Sequence, residues 1–84
     1  MPISREEFEG NEVDLVLEFF RSNANYAYTL EELVEELASR GVNLEQKDLQ
    51  DILYSLEERG RIEPKTKRGV VYYIYRKPKL GFGA

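Results

Sequence analysis

The sequence predicts a small α+β domain in which three helices precede a C-terminal two-stranded β-hairpin. Apolar residues recur at helical spacing in three segments, and capping motifs precede the second and third of them. A β-branched and aromatic run follows near the C-terminus, after a turn that contains glycine. The 84 residues fit one domain. We divide the chain into an N-terminal segment over residues 1–10, a folded domain over 11–76 and a flexible tail over 77–84.

The first helix is predicted over residues 11–21, with Asn11 as its cap. Upstream, Ser4 and the glutamate three residues later match a capping box, which favours a separate short helix before Gly10. The apolar stripe of the first helix lies at positions i, i+3, i+4 and i+7 and consists of Val13, Val16, Leu17 and Phe20.

Two apolar residues of this helix, Leu15 and Phe19, lie off the stripe and require another cover. The N-terminal segment, the tail and a second copy of the chain are all available. We expect the second copy, which makes Leu15 and Phe19 candidates for a homodimer contact.

A helix-turn-helix occupies the middle of the chain. The second helix begins with a capping box at Thr29 and ends near Arg40, where Gly41 suits a left-handed terminator. A further box at Asn43 predicts a third helix over residues 44–59. The expected buried stripes are Leu30, Leu33, Val34 and Leu37 in the second helix, and Leu49, Ile52, Leu53 and Leu56 in the third.

The hairpin is predicted to begin at Ile62, with Pro64 confining the first strand to an edge of the sheet. Residues 65–69 form a basic turn, and residues 70–76 form the second strand. We expect Val70, Tyr72 and Ile74 to face the core together with Ile62, leaving Tyr73 and Tyr75 as exposed aromatics.

Charge is sharply divided along the chain. Residues 1–58 carry 15 acidic and 4 basic side chains, whereas residues 59–84 carry 8 basic side chains and Glu63 alone as an acid. The net charge of −4 therefore conceals a basic C-terminal part. Lysines and arginines that guard an edge strand against pairing would also produce this pattern.

The segment Leu56-Glu57-Glu58-Arg59-Gly60-Arg61-Ile62, which leads from the third helix into a basic hairpin, resembles the winged helix-turn-helix family of DNA-binding domains. The resemblance spans roughly residues 11–76. It implies that the third helix enters the major groove of double-stranded DNA and that the hairpin, or wing, lies on phosphates. Lys47 and Gln50 would then contact base edges, and Tyr54 a phosphate. The implied wing contacts are Arg59, Arg61, Lys65, Lys67, Arg68, Arg76 and Lys77.

Acidic residues oppose part of this assignment. Asp51 and Glu58 share the outward ridge of the third helix with Lys47 and Tyr54, and Glu31, Glu32, Glu35 and Glu36 ring the outward face of the second. Two functions therefore stay open. One is a DNA-binding module that regulates transcription. The other is a winged-helix interaction module that docks a basic protein through the acidic face of the second and third helices.

Other classes of function find little support. The chain contains no His and no Cys, which removes the commonest general base and thiolate metal sites, so we expect neither an enzyme nor a cofactor nor a bound metal. No apolar run approaches the length of a membrane span, and we expect a cytoplasmic protein without a membrane partner.

Overall fold

The computed structural model describes the backbone of residues 5–77 and the side chains of residues 12–77. In chain order the elements are α1 (Arg5–Ser22), β1 (Ala27–Tyr28), α2 (Leu30–Ser39), α3 (Gln46–Glu58), β2 (Ile62–Lys67) and β3 (Val70–Tyr75). The predicted α+β class is confirmed. Residues 1–4 and 78–84, which include almost all of the predicted tail, lie outside the described residues.

Strand β1 extends the predicted two-stranded hairpin to a three-stranded antiparallel sheet in the order β1-β3-β2. Ala27 and Tyr28 pair with Ile74 and Tyr73 of β3, so the segment between α1 and α2 is tied to the hairpin. Strand β2 lies at an edge of this sheet, where Pro64, which has no N–H to donate, is tolerated. The edge position predicted for Pro64 is confirmed.

Helix α1 begins at Arg5 and continues through Gly10 without a break. The predicted start at Asn11 and the separate short helix before Gly10 are therefore wrong. One glycine inside a helix costs about 1 kcal/mol relative to alanine. Glu9 and Glu12, which flank the pair Gly10-Asn11, are good helix formers. Eighteen residues of continuous helix outweigh the cost of one glycine.

The N-terminus of α2 is capped as predicted. The backbone N–H of Glu32 donates to the Thr29 hydroxyl oxygen at 3.2 Å, and the N–H of Thr29 donates to the Glu32 carboxylate at 2.8 Å. At the other end Gly41 has a φ of +84°, and the N–H of Val42 donates to the carbonyl of Leu37 at 2.9 Å. This arrangement is a Schellman termination, and it sets the direction in which the chain leaves α2.

Helix α3 begins two residues later than predicted. Its N-cap is Glu45, which makes no side-chain capping hydrogen bond, so the predicted capping box at Asn43 is wrong. Val42 and Leu44 both pack against the core. Side chains two positions apart reach the same side in an extended segment and not in a helix, which explains why the connection stays extended through this region.

The core lies between the three helices and one face of the sheet. Its buried residues are Val16, Phe19, Phe20, Leu33, Leu37, Leu49, Ile52, Leu53, Leu56 and Ile62. The predicted stripe of α3 is buried in full, whereas α2 buries Leu33 and Leu37 and packs Leu30 and Val34 partly against the core. Within the described residues, no helix has both the length and the apolarity to cross a bilayer.

The predicted orientation of β3 is wrong. Tyr73 and Tyr75 pack against the core, whereas Val70, Tyr72 and Ile74 do not. The register explains the reversal: Ile62 is buried and lies directly opposite Tyr75. Residues opposite each other in an antiparallel pair project from the same face, so a buried Ile62 brings Tyr75 and the alternate residue Tyr73 inward.

Candidate nucleic-acid interface

The hairpin of β2 and β3 is a regular ladder of six residue pairs, from Ile62 opposite Tyr75 to Lys67 opposite Val70. A two-residue turn, Arg68-Gly69, joins the strands, with φ of +54° and +77°. Positive φ at both central residues is the requirement of a type I′ turn, whose twist matches that of the strands. The predicted five-residue basic loop is therefore too long, because Lys65 and Lys67 lie on β2.

We call residues 59–77 the basic wing. It contains seven basic side chains and Glu63 as its acid. All seven are exposed, and they are the residues predicted for this surface: Arg59, Arg61, Lys65, Lys67, Arg68, Arg76 and Lys77. Clustered cations that outnumber the acids among them attract polyanions, so the basic wing is the part of the described surface best suited to bind phosphate.

The base of the basic wing is held against the end of α3. The N–H of Arg76 donates to the carbonyl of Arg61 at 2.8 Å, which continues the strand pairing past Ile62. Gly60, with a φ of +71°, ends the helix, and the Arg76 guanidinium lies close to it. Cations beside a helix C-terminus are favoured by its partial negative charge. The wing is therefore fixed relative to α3.

The exposed face of α3 presents Lys47, Gln50 and Tyr54 to solvent, as predicted. Tyr54 is 62% exposed, and the Glu58 carboxylate, through hydrogen bonding and through its charge, raises the pKa of Tyr54. A carboxylate beside the phenol also repels a phosphate that approaches it. Of the three predicted contacts on α3, Tyr54 is thus the least suited to its role.

A second feature of α3 is a groove of about 390 Å³ between its first turns and α1, lined by Glu12, Asp48, Asp51 and Ile52. Three carboxylates on one surface repel phosphate at short range. Residues 12–77 nevertheless contain no group of three or more acidic or other metal-ligating side chains arranged to hold a metal ion. The N-terminal half of α3 therefore carries a negative potential beside Lys47.

The glutamates of α2 divide into two groups. Glu32 belongs to the capping box, and Glu36 accepts a charged contact from Arg40 at 3.4 Å. Glu31 and Glu35 are exposed on the outer surface of the helix. Half of the predicted acidic ring thus has a structural role within α2, and the other half is surface charge.

The two residues proposed for a dimer contact differ in burial. Phe19 is only 5% exposed, because Tyr28 packs against it with ring centroids 5.1 Å apart and the Arg40 guanidinium lies 4.7 Å from its ring centre. The chain itself covers Phe19, and the inference that it needs a partner is wrong. Leu15 is 45% exposed and borders a groove between α1 and α2.

The sequence interpretation missed the outer face of the sheet. Because Tyr73 and Tyr75 point inward, Tyr72 and Ile74 lie on the opposite face, with Lys65 directly across from Tyr72. The burial of Ile62, combined with a two-residue turn, would have indicated this orientation. Gly69 is the part of this turn that the sequence signals, because glycine adopts the positive φ that a two-residue turn requires, whereas arginine at position 68 is not typical of it.

Comparison with known proteins supports the fold alone. No protein-family model and no curated protein matches this chain. A solved structure of the ferric uptake regulator from Francisella tularensis with iron is similar, with a TM-score of 0.67 over 94% of this chain at 15% sequence identity. The match spans 56% of that protein. Three helices and the three-stranded sheet make this chain a small α+β domain of the winged-helix type.

Proposed function

We propose that this chain is a DNA-binding module that acts in transcription regulation, with the basic wing on phosphates and α3 directed toward the major groove. One observation carries the proposal: seven exposed cations and a single acid share the 19 residues of the basic wing. Contacts between such cations and phosphates supply most of the sequence-independent affinity of DNA-binding proteins.

The turn of the wing is the part best placed to approach a duplex. Arg68 lies at its tip and Lys67 beside it, and both are exposed. Within α3, Lys47 and Gln50 have the chemistry to contact guanine and adenine edges. Asp51 lies one residue from Gln50 and one turn from Lys47, so base reading by α3 is confined to positions where its carboxylate meets a cytosine amino group or solvent.

The fold adds a second line of support. The similar solved structure is named as a regulator, and a winged-helix architecture combined with a basic hairpin suits the same class of task. Likeness of fold does not by itself determine function, so the charge distribution carries the assignment. We propose double-stranded DNA as the partner and the cytoplasm as the location of this protein.

A second function is favoured by the acidic groove of Glu12, Asp48 and Asp51 and by the exposed glutamates of α2. This acidic surface would dock a basic protein. The basic wing would then face away from that contact and stay free to bind a nucleic acid. The two functions make opposite demands on charge. A basic partner would bind the carboxylates, whereas DNA would bind the cations of the wing.

Fluorescence anisotropy with a labelled duplex of random sequence tests the proposal at low and at high salt. We expect binding that weakens steeply as salt rises, because each phosphate contact releases condensed counterions. A lysine-rich peptide serves as the competing ligand for the second function. Binding of the peptide without binding of the duplex would refute DNA binding and establish the interaction module.

A further inference from the structure

We propose that the outer face of the sheet binds single-stranded DNA, with a base stacked on Tyr72 and the adjoining phosphates held by Lys65 and Lys67. This site goes beyond duplex binding, because it adds an unpaired base on Tyr72 to the contacts of Lys65 and Lys67, which duplex DNA would also use. It is defined by three pairs across β2 and β3, Lys67 with Val70, Lys65 with Tyr72 and Glu63 with Ile74, together with Ala27 of β1 opposite Ile74.

Within the described residues this face carries no part of the buried core, and Tyr72 and Ile74 on it are half-buried. The core lies against the opposite face, where Ile62, Tyr73 and Tyr75 pack. Val70 is 44% exposed, and Ala27 is exposed as well. A sheet face with an aromatic residue on its central strand and small or apolar neighbours offers a flat surface to a planar ligand.

The recess around Tyr72 has the composition of a base-stacking site. Ala27, Lys65, Lys67 and Tyr72 line it, and its volume is about 420 Å³. Lys65 and Lys67 project from the same face two residues apart, a spacing of about 7 Å along the strand. A base on the phenol ring would therefore have Lys65 level with it and Lys67 near the phosphate on the side of the turn. Stacking on aromatic side chains beside a cationic track is how proteins bind unpaired strands.

Positive charge continues along the face. A second recess, of about 610 Å³, lies toward the base of the wing, and Ile74, Arg76, Lys77 and Glu63 contribute to its lining. The cations of the two recesses outnumber the one carboxylate, which is complementary to a polyanion that runs along β3. The face could therefore hold a short run of nucleotides.

The occupant is a single strand because base faces are hidden in the stack of a duplex. Only an unpaired base can present its ring to Tyr72. DNA suits the site better than RNA, since Ala27, Val70 and Ile74 supply apolar contacts for the methyl group that thymine has and uracil lacks.

A single-tryptophan design tests the site, because the natural chain contains no tryptophan. Tyr72→Trp places the reporter on the outer face, and Leu15→Trp, at a 45% exposed position of α1, is the matched control. Circular dichroism confirms that both variants fold. On addition of oligo(dT) we expect quenching of Tyr72→Trp and unchanged emission from Leu15→Trp. Unchanged emission of Tyr72→Trp, or equal quenching of both variants, would overturn the proposal.

Affinity gives an independent readout. Tyr72→Leu keeps an apolar side chain and removes the aromatic ring, so it should weaken oligo(dT) binding by about 5- to 150-fold, as loss of one stacked base does. Tyr72→Phe retains the ring and should bind as the parent does. Oligo(dT) affinity that is the same for Tyr72→Leu and the parent would contradict stacking.

Three further measurements distinguish single-stranded DNA from other ligands of this face. Equal affinity for oligo(rU) and oligo(dT) would overturn the assignment to DNA and favour RNA. Emission of Tyr72→Trp that depends on protein concentration without nucleic acid would overturn it in favour of a second copy. A blunt duplex tests the proposed function separately: duplex binding without oligo(dT) binding removes only the single-strand site, and the reverse removes only the duplex function.

Discussion

Removal of the three cations nearest the wing tip should reduce both the affinity for duplex DNA and its dependence on salt. Lys65 and Lys67 lie on β2, so threonine is a better replacement than alanine because it favours strands. Arg68 has a φ of +54°, and asparagine tolerates that conformation better than other uncharged side chains. The variant Lys65→Thr/Lys67→Thr/Arg68→Asn therefore removes charge while it keeps the hairpin.

The size of the effect follows from the number of cations. If about five of the wing cations contact phosphate, log affinity against log salt has a slope of about −4.5, and affinity falls about 500-fold between about 50 and 200 mM salt. With three contacts removed, the slope becomes about −1.8 and the loss about 12-fold.

Anisotropy titrations over a salt series measure both slopes, and thermal unfolding confirms that the triple variant stays folded. Arg21→Gln is the matched control, because Arg21 is an exposed cation on α1 that pairs with Glu18. It should leave the slope unchanged. A triple variant that retains the parent slope would refute the phosphate-binding role of the wing.

Four other predictions concern α3 and α1. Gln50→Ala should cost roughly 1–3 kcal/mol on a preferred site and almost nothing on random duplex; equal losses would exclude base reading. Phe19→Ala should destabilise the fold by about 3–5 kcal/mol in urea titration. Leu15→Glu should stay folded. If Leu15 contributes to a homodimer, this variant should also halve the mass measured by light scattering. Glu58→Gln should lower the pKa of Tyr54 toward 10.0 in an ultraviolet titration. Because the pKa of Tyr54 is raised in the folded protein, its contribution to stability is present below pH 10.0 and is lost as the pH rises through the folded-state pKa. An unchanged Tyr54 titration would show that Glu58 is not its partner.

The helical part of the fold could be predicted well because its signals are local. The stripe Leu49, Ile52, Leu53 and Leu56 is buried as its spacing indicates, and the capping box of Thr29 forms as its sequence indicates. Gly10 does not end α1, because the free-energy cost of one glycine is small compared with the stabilisation of a long helix. The start of α3 depended on Val42 and Leu44 reaching the core, which is a tertiary effect.

The face that β3 turns to the core could not be predicted from its own residues. Both alternating sets, Val70 with Tyr72 and Ile74 on one side and Val71 with Tyr73 and Tyr75 on the other, are apolar or aromatic. The choice depends on the register with Ile62, and the register depends on the length of the turn. The turn is short because Arg68 and Gly69 both adopt positive φ.

In the candidate site, too, some features could be predicted from the local sequence and others depend on tertiary structure. The cations of the wing and their exposure follow from composition, but their distribution over the sheet face follows from the strand pairing. Phe19 was assigned to a dimer because its covers come from distant parts of the chain. Tyr28 reaches it through the pairing of β1 with β3, and Arg40 through the end of α2.

A titration of the ¹⁵N-labelled chain with duplex DNA, followed by amide chemical shifts, tests the claim that the basic wing is the nucleic-acid surface. The account predicts that the largest shifts cluster in residues 59–77, with smaller ones around Lys47 and Gln50, and that they diminish as salt rises. Shifts confined to Glu31, Glu35 and the groove of Glu12 and Asp48, or no shifts at low salt, would contradict it.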